Sequence, residues 1–392
     1  MTTTAENTPE TLRQVPYARC LIMPSARRAA AEVLASGWLV AGEQTVAFER
    51  ELGNWLGAAH TVAVSSCTAA IELALRALRL PPGSPVLTPT ITFCGAVQAI
   101  IHSGLRPVFL DLDEETLTVA PETVARVAAQ ENPRAMVVQH MGGYPVAVSE
   151  LATAAGLPAA AVVEDAAHGL GASGVGTDSA AACFSFYATK NLPIGEGGAL
   201  TTADPELAGR LGEMRQHGMS RDAWRRYRPG GGWRYSVDVD GMKANFTDVQ
   251  AAIGRAQLAH LSGWQATRAA LAARYDSELA GIPGIVPPPR PATGRHAWHL
   301  YLIRVLPEFG MGRDELAEAL AERGVGTSVH FIPVHHFPYF RRVLGPDACA
   351  GLPVADRIFP QLLSLPLHPG LGDDEVDHVC AQLAGLRRGV RR

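Results

Sequence analysis

The chain contains 392 residues, of which 47% are hydrophobic and 18% charged, and its formal net charge is −4 at pH 7. This length allows two domains with substantial cores, and the slightly acidic balance argues against nucleic acid as a main partner. Residues 1–14 lack the basic and apolar regions of a signal peptide, and no segment reaches the roughly 18 apolar residues of a membrane span. The six cysteines form no C-x-x-C pair, which is typical of reduced thiols. We therefore expect a cytoplasmic protein without a membrane segment.

Short apolar runs alternate with helical patterns over the first two-thirds of the chain. A helix is predicted at 68–78, with Ser65 or Ser66 as its N-cap. Strands are predicted at residues 62–65, 85–88, 107–111, 135–140, 161–165, 183–187 and 199–202. Several of these strands are apolar throughout, as expected of a sheet that is covered on both faces. The alternation indicates an α/β fold with a mainly parallel sheet.

The pattern changes after about residue 255. A long helix is predicted at 258–279, and a proline-rich linker follows at 287–291. A strand at 299–305 and helices at 313–323 and 373–386 come next. We therefore divide the chain into a large domain, residues 1–255, and a small C-terminal α+β domain, residues 256–392. The Gly-, Arg- and Trp-rich segment 221–241 is read as a long loop, a class that is often functional.

A carboxylate and a lysine follow two neighbouring strands of the predicted sheet. Asp165 ends one strand, at the carboxyl edge where open α/β sheets bind ligands, and Lys190 follows the next strand. The chain has only two lysines, Lys190 and Lys243, so a lysine here is more often needed for chemistry that arginine cannot perform. Pyridoxal phosphate enzymes need both groups: a lysine that attacks the cofactor carbonyl, and an aspartate that keeps the pyridine nitrogen protonated. Outside this context Lys190 would be read as a surface lysine and Asp165 as a helix cap.

A second feature suits an anionic cofactor. Ser66, Cys67 and Thr68 join a strand to the start of a helix, where free backbone N–H groups and the helix dipole favour a phosphate. Such a turn is common, so it supports a cofactor site only in combination with Asp165 and Lys190.

Eight segments together resemble the DegT/DnrJ/EryC1/StrS family of sugar aminotransferases, over roughly residues 25–385. They are residues 36–38 with Gly42, 62–70, 88–93, 163–168, 184–191, 195–198, 241–254 and 326–335. The resemblance implies a fold type I enzyme that depends on pyridoxal phosphate, with a mainly parallel seven-stranded sheet flanked by helices. It also implies a homodimer with active sites at the interface.

The resemblance assigns a role to each matching residue. Lys190 matches the lysine that holds the cofactor covalently, and Asp165 matches the partner of its ring nitrogen. Phe93 matches the aromatic residue that stacks on the ring, although by itself it would be read as a core residue. The remaining cofactor positions are Cys67, Thr68 and Ser185 at the phosphate, His168 near the cofactor hydroxyl, and Lys243 or Asn245 reaching the cofactor of the neighbouring subunit.

The same resemblance indicates the substrates. The expected amino donor is L-glutamate, and the acceptor is a nucleotide-linked keto-6-deoxysugar. The loop 217–227 resembles relatives that aminate the sugar 4-position, and its arginines, Arg221 among them, are candidates for the nucleotide diphosphate. His330 is a candidate substrate contact, with simple packing as the alternative.

Several alternatives remain open at this point. A 3-keto sugar or keto-cyclitol aminotransferase fits the same motifs, whereas a pyridoxamine-dependent dehydrase would carry His at the position of Lys190. A non-catalytic regulator on this fold would not need Lys190 or Asp165. No Cys or Asp pattern accompanies His330, His335 and His336, so no metal is expected. The G-x-G-x-x-G at 169–174 is read as a loop because no helical pattern follows it.

Overall fold

The computed structural model describes residues 12–220 and 232–389. Its large sheet has seven strands in the order β1-β7-β6-β5-β4-β2-β3. The strands are β1 (His60–Val64), β2 (Pro85–Pro89), β3 (Arg106–Leu110), β4 (Ala135–Gln139), β5 (Val162–Asp165), β6 (Ala181–Ser185) and β7 (Gly198–Thr202). Every pairing is parallel except those of β7, which runs antiparallel to β1 and β6. The predicted strands and the mainly parallel sheet are confirmed, with strand ends displaced by one or two residues.

Strand register gathers polar residues at one edge of this sheet. Gln139 lies beside Asp165 at the ends of β4 and β5, and Asp165 pairs with Cys183 of β6. Ser185, the last residue of β6, pairs with Gly198, the first residue of the antiparallel β7. Because parallel strands end together, this edge is where the side chains that follow the strands converge.

Helices cover both faces of the sheet. The helices up to residue 258 are α1 (Pro24–Ser36), α2 (Glu43–Leu56), α3 (Cys67–Ala77), α4 (Cys94–His102), α5 (Pro121–Glu131), α6 (Val148–Ala155), α7 (Pro205–Met214) and α8 (Asp248–Leu258). Of the two serines considered as the cap of α3, Ser66 takes the role: its Oγ accepts a hydrogen bond from Ala69 N at 3.1 Å. Nearly all of α3 is buried, so its N-terminus is held firmly against the sheet edge.

The C-terminal part contains a three-stranded antiparallel sheet in the order β10-β9-β8. Its strands are β8 (Ile285–Val286), β9 (Tyr301–Val305) and β10 (Leu362–Leu365), and its helices are α9 (Leu261–Leu279), α10 (Arg313–Ala321), α11 (Pro338–Leu344), α12 (Pro353–Ile358) and α13 (Asp373–Gly389). A separate hydrophobic cluster fills this part, in which Tyr275 stacks on Tyr301 with ring centroids 4.6 Å apart. The domain division at residue 255 stays a prediction.

Two local expectations had different outcomes, and two strands were not predicted. The helix predicted from residue 258 begins at Leu261, because α8 ends at Leu258 and the chain turns at Ala259 and His260. Residues 169–174 form turns, as predicted for the G-x-G-x-x-G segment. Strands β8 and β10 were not predicted, since short apolar segments carry little periodic signal. Among the helices that the structure describes, none is both long enough and apolar enough to cross a membrane.

Candidate active site

A cavity of about 500 Å³ opens at the carboxyl edge of the large sheet. It is lined by eight of the residues that the sequence singled out: Cys67, Thr68, Phe93, Asp165, His168, Ser185, Lys190 and His330. These residues come from five separate segments of the chain, and the fold brings them to one place. His299, Phe331 and Tyr187 also line the cavity and were not predicted.

The N-terminus of α3 forms an anion cradle on the cavity wall. The backbone N–H groups of Cys67 and Thr68 find no acceptor within residues 12–220 and 232–389. Gly198 lies directly against this turn: a Cβ there would stand 2.4 Å from the carbonyl carbon of Ser66 and 2.6 Å from Cys67 N. Only glycine permits this close approach of β7. With Ser185 beside Gly198 in the sheet, the turn presents free donors that fit a phosphate group.

The side chain of Cys67 points into the protein. Its Sγ lies 3.2 Å from the carbonyl oxygen of Cys183 and 3.7 Å from Asp165 Oδ1. Burial, followed by the nearby Asp165 carboxylate, raises the pKa of this thiol well above its ordinary value, so it remains protonated. At this position the backbone amide, and not the thiol, is therefore the group available to an anion.

Asp165 is a buried carboxylate with only 4% of its surface exposed. Its Oδ1 accepts a hydrogen bond from Ala167 N at 3.1 Å, whereas Oδ2 receives none from the part of the chain that the structure describes. Burial raises the pKa of Asp165, and the Ala167 amide and the charge of Lys190 oppose that rise. A carboxylate in this setting calls for a cationic N–H partner from the cavity, which is what a protonated pyridine nitrogen provides.

Lys190 projects into the same cavity from a turn in which its N–H bonds to the carbonyl oxygen of Tyr187. Burial lowers the pKa of its amine to about 8, while the Asp165 carboxylate acts in the opposite direction. A substantial fraction of the amine is therefore neutral near physiological pH, as an amine must be to attack a carbonyl.

His168 is buried beside the cavity, and its Nδ1 accepts a hydrogen bond from Gly142 N at 3.2 Å. Burial, together with the charge of Lys190, holds its pKa well below the ordinary value. The imidazole is therefore neutral, with its proton on Nε2. His168 can donate that proton in a hydrogen bond to an oxygen in the cavity.

Phe93 corrects the interpretation that composition alone would give. Its side chain is 56% exposed and stands at the cavity wall, with its ring centroid 5.9 Å from that of Phe331. It precedes α4, and a Cβ at Gly95 would lie 2.5 Å from Thr68 Oγ1, so this segment approaches the anion cradle closely. An accessible aromatic face beside an anion site and a buried carboxylate fits a planar cofactor ring.

A second part of the cavity lining comes from residues far along the chain. His299 Nε2 lies 3.4 Å from Lys190 Nζ, and the rings of His299 and His168 are 4.3 Å apart. His330 Nδ1 is 2.9 Å from Ser364 Oγ, and burial lowers the pKa of His330 to about 4. His299 was missed because it precedes a strand that reads as ordinary core. A histidine at the start of a buried strand was the one available signal.

Three predicted positions lie elsewhere. Lys243 is exposed, and Asn245 is half-buried with its Nδ2 donating to the Phe246 carbonyl oxygen at 3.2 Å. Neither lines the cavity of its own chain, although Asn245 bridges to Val64, just before the anion cradle. Arg221 falls outside the residues that the structure describes.

The histidine pair corrects one argument about metals. The sequence showed no carboxylate near His335 and His336, but Asp356 Oδ1 lies 2.9 Å and 2.6 Å from their Nε2 atoms. These three side chains could in principle share an ion. In the structure their ligand atoms bond to one another, and His335 Nδ1 is 2.6 Å from Thr90 Oγ1. The cluster therefore ties the segment before Phe93 to the C-terminal part.

Comparisons with known proteins agree with this geometry. Residues 22–384 match the model of the DegT/DnrJ/EryC1/StrS aminotransferase family. The chain belongs to this family. It is 42% identical to the spore coat polysaccharide biosynthesis protein SpsC of Bacillus subtilis, over 96% of this chain and 98% of SpsC.

Solved structures of aminotransferases and related enzymes are similar to this chain over nearly its whole length. The aminotransferase TlmJ from Streptoalloteichus hindustanus is 32% identical with a TM-score of 0.85, and DesV from S. venezuelae is 34% identical with a TM-score of 0.82; each match covers 96% of this chain and 100% of the other. The sugar aminotransferase Spr1654 from Streptococcus pneumoniae, in its pyridoxal phosphate form, is 26% identical with a TM-score of 0.87, over 96% of this chain and 100% of that one. The protein is thus a pyridoxal phosphate-dependent sugar aminotransferase, as the resemblance implied, and not a non-catalytic regulator.

Proposed function

We propose that this enzyme transfers an amino group from L-glutamate to a nucleotide-linked keto-6-deoxysugar, at the sugar 4-position. The observation that carries the proposal is the meeting of the Lys190 amine, the buried Asp165 carboxylate and the free amides of α3 in one cavity. When bound, pyridoxal phosphate supplies an electron sink for the carbon that loses a proton.

Lys190 is the acid–base residue of the proposed reaction. Its Nζ would take the proton from Cα of the donor and return a proton to the cofactor carbon. On the sugar it would carry out the same two proton transfers in reverse. The pKa of about 8 leaves the amine able both to accept and to give up a proton near neutral pH. Asp165 would hold the proton on the ring nitrogen, and His168 would donate a hydrogen bond from Nε2 to the ring oxygen.

The other wall residues bind and orient. The amides of Cys67 and Thr68, with Ser185, would hold the phosphate, and Phe93 would cover one face of the ring. His330 also lines the cavity and would contact the sugar. The arginines of the 221–228 segment are proposed to meet the nucleotide diphosphate on the strength of the family resemblance.

A homodimer in the cytoplasm completes the proposal. Lys243 and Asn245 do not line the cavity that contains Lys190 in their own chain, and they would instead reach the cofactor phosphate of a second copy, as the family resemblance implies. Two other acceptors remain alternatives, a 3-keto sugar and a keto-cyclitol. The name of SpsC connects that relative with polysaccharide biosynthesis and so favours a sugar over a cyclitol.

The test is a visible absorbance titration of the enzyme loaded with pyridoxal phosphate. Nucleotide-linked 4-amino and 3-amino deoxysugars, an aminocyclitol and L-glutamate are added separately, and the loss of the band of the lysine-bound cofactor is followed. We expect the 4-amino sugar and L-glutamate to bleach the band. Bleaching by the 3-amino sugar or the cyclitol alone would reassign the acceptor, and no response to glutamate would reject the donor.

Lys190→Ala tests the proposed acid–base role of Lys190. Because the variant removes the group that moves the proton, turnover should fall by roughly 10²–10⁴-fold, while removal of a buried amine should leave thermal stability unchanged or higher. Single-turnover kinetics and thermal melting measure the two effects. Turnover within tenfold of the parent enzyme would sink the proposed role of Lys190.

A further inference from the structure

His299 occupies an unusual position for a buried histidine. It lies just before β9, and its two ring nitrogens face two consecutive residues of the catalytic turn. Nε2 is 3.4 Å from Lys190 Nζ, and Nδ1 is 3.1 Å from Asn191 Oδ1. A residue 109 positions away in sequence thus contacts the catalytic lysine and its neighbour at the same time.

The orientation of the Asn191 amide follows from its other contacts. Its Nδ2 faces the carbonyl oxygens of Ala297 at 2.8 Å and Leu170 at 3.4 Å, and the Gln265 Oε1 at 3.4 Å. Backbone carbonyls can only accept, so the NH₂ group must be on this side. Asn191 Oδ1 therefore faces His299 and can only accept a hydrogen bond from its Nδ1.

This contact determines the tautomer of His299. Nδ1 carries a proton, which it donates to Asn191 Oδ1, so a neutral ring has a bare lone pair on Nε2. We propose that His299 is a positioning residue for the catalytic lysine, with its Nε2 lone pair accepting a hydrogen bond from Lys190 Nζ. The contact directs the amine within the cavity, and Asn191 holds the imidazole in the orientation that makes it possible.

The charges around His299 favour its neutral form. Burial lowers its pKa well below the ordinary value, and the positive charges of Lys190 and Arg268, with the neighbouring His168 and His330, act in the same direction. Arg268 is itself buried and donates from Nη1 to the carbonyl oxygens of Trp298 at 3.2 Å and Leu367 at 2.8 Å. A cation on this side keeps His299 an acceptor.

Lys190 also has a negatively charged neighbour. The Asp165 carboxylate raises the pKa of the lysine, against the larger effect of burial. His299 adds an uncharged acceptor from a second direction. In the proposed reaction one N–H of Lys190 bonds to His299. The nitrogen lone pair is then free to take the proton from the substrate carbon. When Lys190 gains a proton, the same contact stabilises the ammonium, and His299 neither gains nor loses a proton.

This inference rests on the proposed function only for its catalytic meaning, because the contact itself can be tested in the full-length protein with the cofactor removed. The two lysines allow a direct measurement: trace acetylation with isotope-labelled acetic anhydride over a range of pH, followed by peptide mass spectrometry. Only the neutral amine reacts, so the rate profile yields the pKa of Lys190, with Lys243 as an internal standard in the same sample.

The variants are His299→Leu, which removes the acceptor, and His299→Gln, which retains one. A hydrogen bond to the ammonium favours the charged form, so we expect the pKa of Lys190 to fall by about one unit in His299→Leu and to stay near the parent value in His299→Gln. His296→Leu is the matched control: His296 is three residues away, stacks on Trp298 and accepts a hydrogen bond at Nδ1 from Trp298 N at 2.8 Å, so the pKa of Lys190 should not change.

An unchanged pKa in His299→Leu would mean that His299 only fills space, and a raised pKa would mean that it repels Lys190 through a proton of its own. Either result overturns the proposal. If His299→Leu does not fold, nitrogen NMR of the protein labelled with ¹⁵N-histidine gives the tautomer of the parent enzyme, and His299→Gln identifies the signal. Protonated Nδ1 with bare Nε2 supports the proposal, whereas the opposite tautomer overturns it. Because neither readout involves turnover, a failed amino-transfer test and a failed His299 test remain distinct.

Discussion

The cavity has two walls of different character. The sheet-side wall is formed by Cys67, Thr68, Phe93, Asp165, His168, Ser185 and Lys190, and the C-terminal wall by His299, His330 and Phe331. The first wall contains a buried carboxylate, an amine and free helix amides. The second contains aromatic and imidazole rings, whose two histidines are kept neutral by burial.

This difference matches two kinds of work. A cofactor with a phosphate and a protonatable ring nitrogen needs charged and strongly polar partners at defined positions, and the sheet-side wall supplies them. A neutral wall can accept hydrogen bonds from a sugar and stack on it, and it does not compete with the sheet-side wall for the charged groups of the cofactor. We therefore expect substitutions on the sheet-side wall to change cofactor binding or chemistry, and those on the C-terminal wall to change the pH response and substrate contact.

The largest expected effect beyond loss of Lys190 is that of Asp165→Asn. The amide keeps the size of the side chain but cannot hold a proton on the cofactor ring nitrogen, so proton removal from the substrate should slow by roughly 10²–10³-fold. Single-turnover absorbance with L-glutamate measures this rate. An unchanged rate would show that another group holds the ring nitrogen, and the sheet-side wall would lose its main electrostatic element.

Gly198→Ala tests the anion cradle, and a smaller effect is expected. The new Cβ would overlap Ser66 and Cys67 backbone atoms, so the turn must shift, and the affinity for pyridoxal phosphate should fall by about tenfold or more. Equilibrium titration by fluorescence measures the affinity, and urea unfolding measures any loss of stability.

Gly209→Ala is the matched control for that substitution. Gly209 lies within α7, where a Cβ would meet no atom within 4 Å, so alanine should stabilise the protein by about 0.5–1 kcal/mol and leave cofactor affinity unchanged. Equal effects of the two substitutions would contradict the close approach of β7 to the cradle.

The two walls also differ in how far sequence could predict them. Asp165 ends one strand and Lys190 follows the next strand of the same sheet. Parallel strands place their carboxyl ends together, so a local pattern leads directly to the meeting of the two residues. The family resemblance added Phe93, which by composition would have been a core residue. Both steps depended on contiguous motifs.

The C-terminal wall could not be derived in that way. His299 reaches Lys190 from the segment just before β9, a strand of the second sheet, and no spacing rule relates positions 109 residues apart. Asp356 likewise joins His335 and His336 from α12, across a separation that hides any ligand pattern. Tertiary packing, which leaves no periodic trace in the sequence, decides these contacts.

The last expected effect is confined to stability and concerns the neutral histidines of the C-terminal wall. The pKa of His330 is about 4 in the folded protein and near 6.5 when unfolded, so the unfolded chain binds a proton first as the pH falls. The stability that His330 contributes is therefore present above about pH 6.5 and is lost as the pH approaches 4.

His330→Gln removes the titration but keeps a polar side chain. Between pH 7 and pH 5 the variant should lose about 1–2 kcal/mol less unfolding free energy than the parent protein, measured by urea denaturation at each pH. Equal losses in both proteins would show that folding does not lower the pKa of His330, and the C-terminal wall would then gain charge as the pH falls below about 6.5.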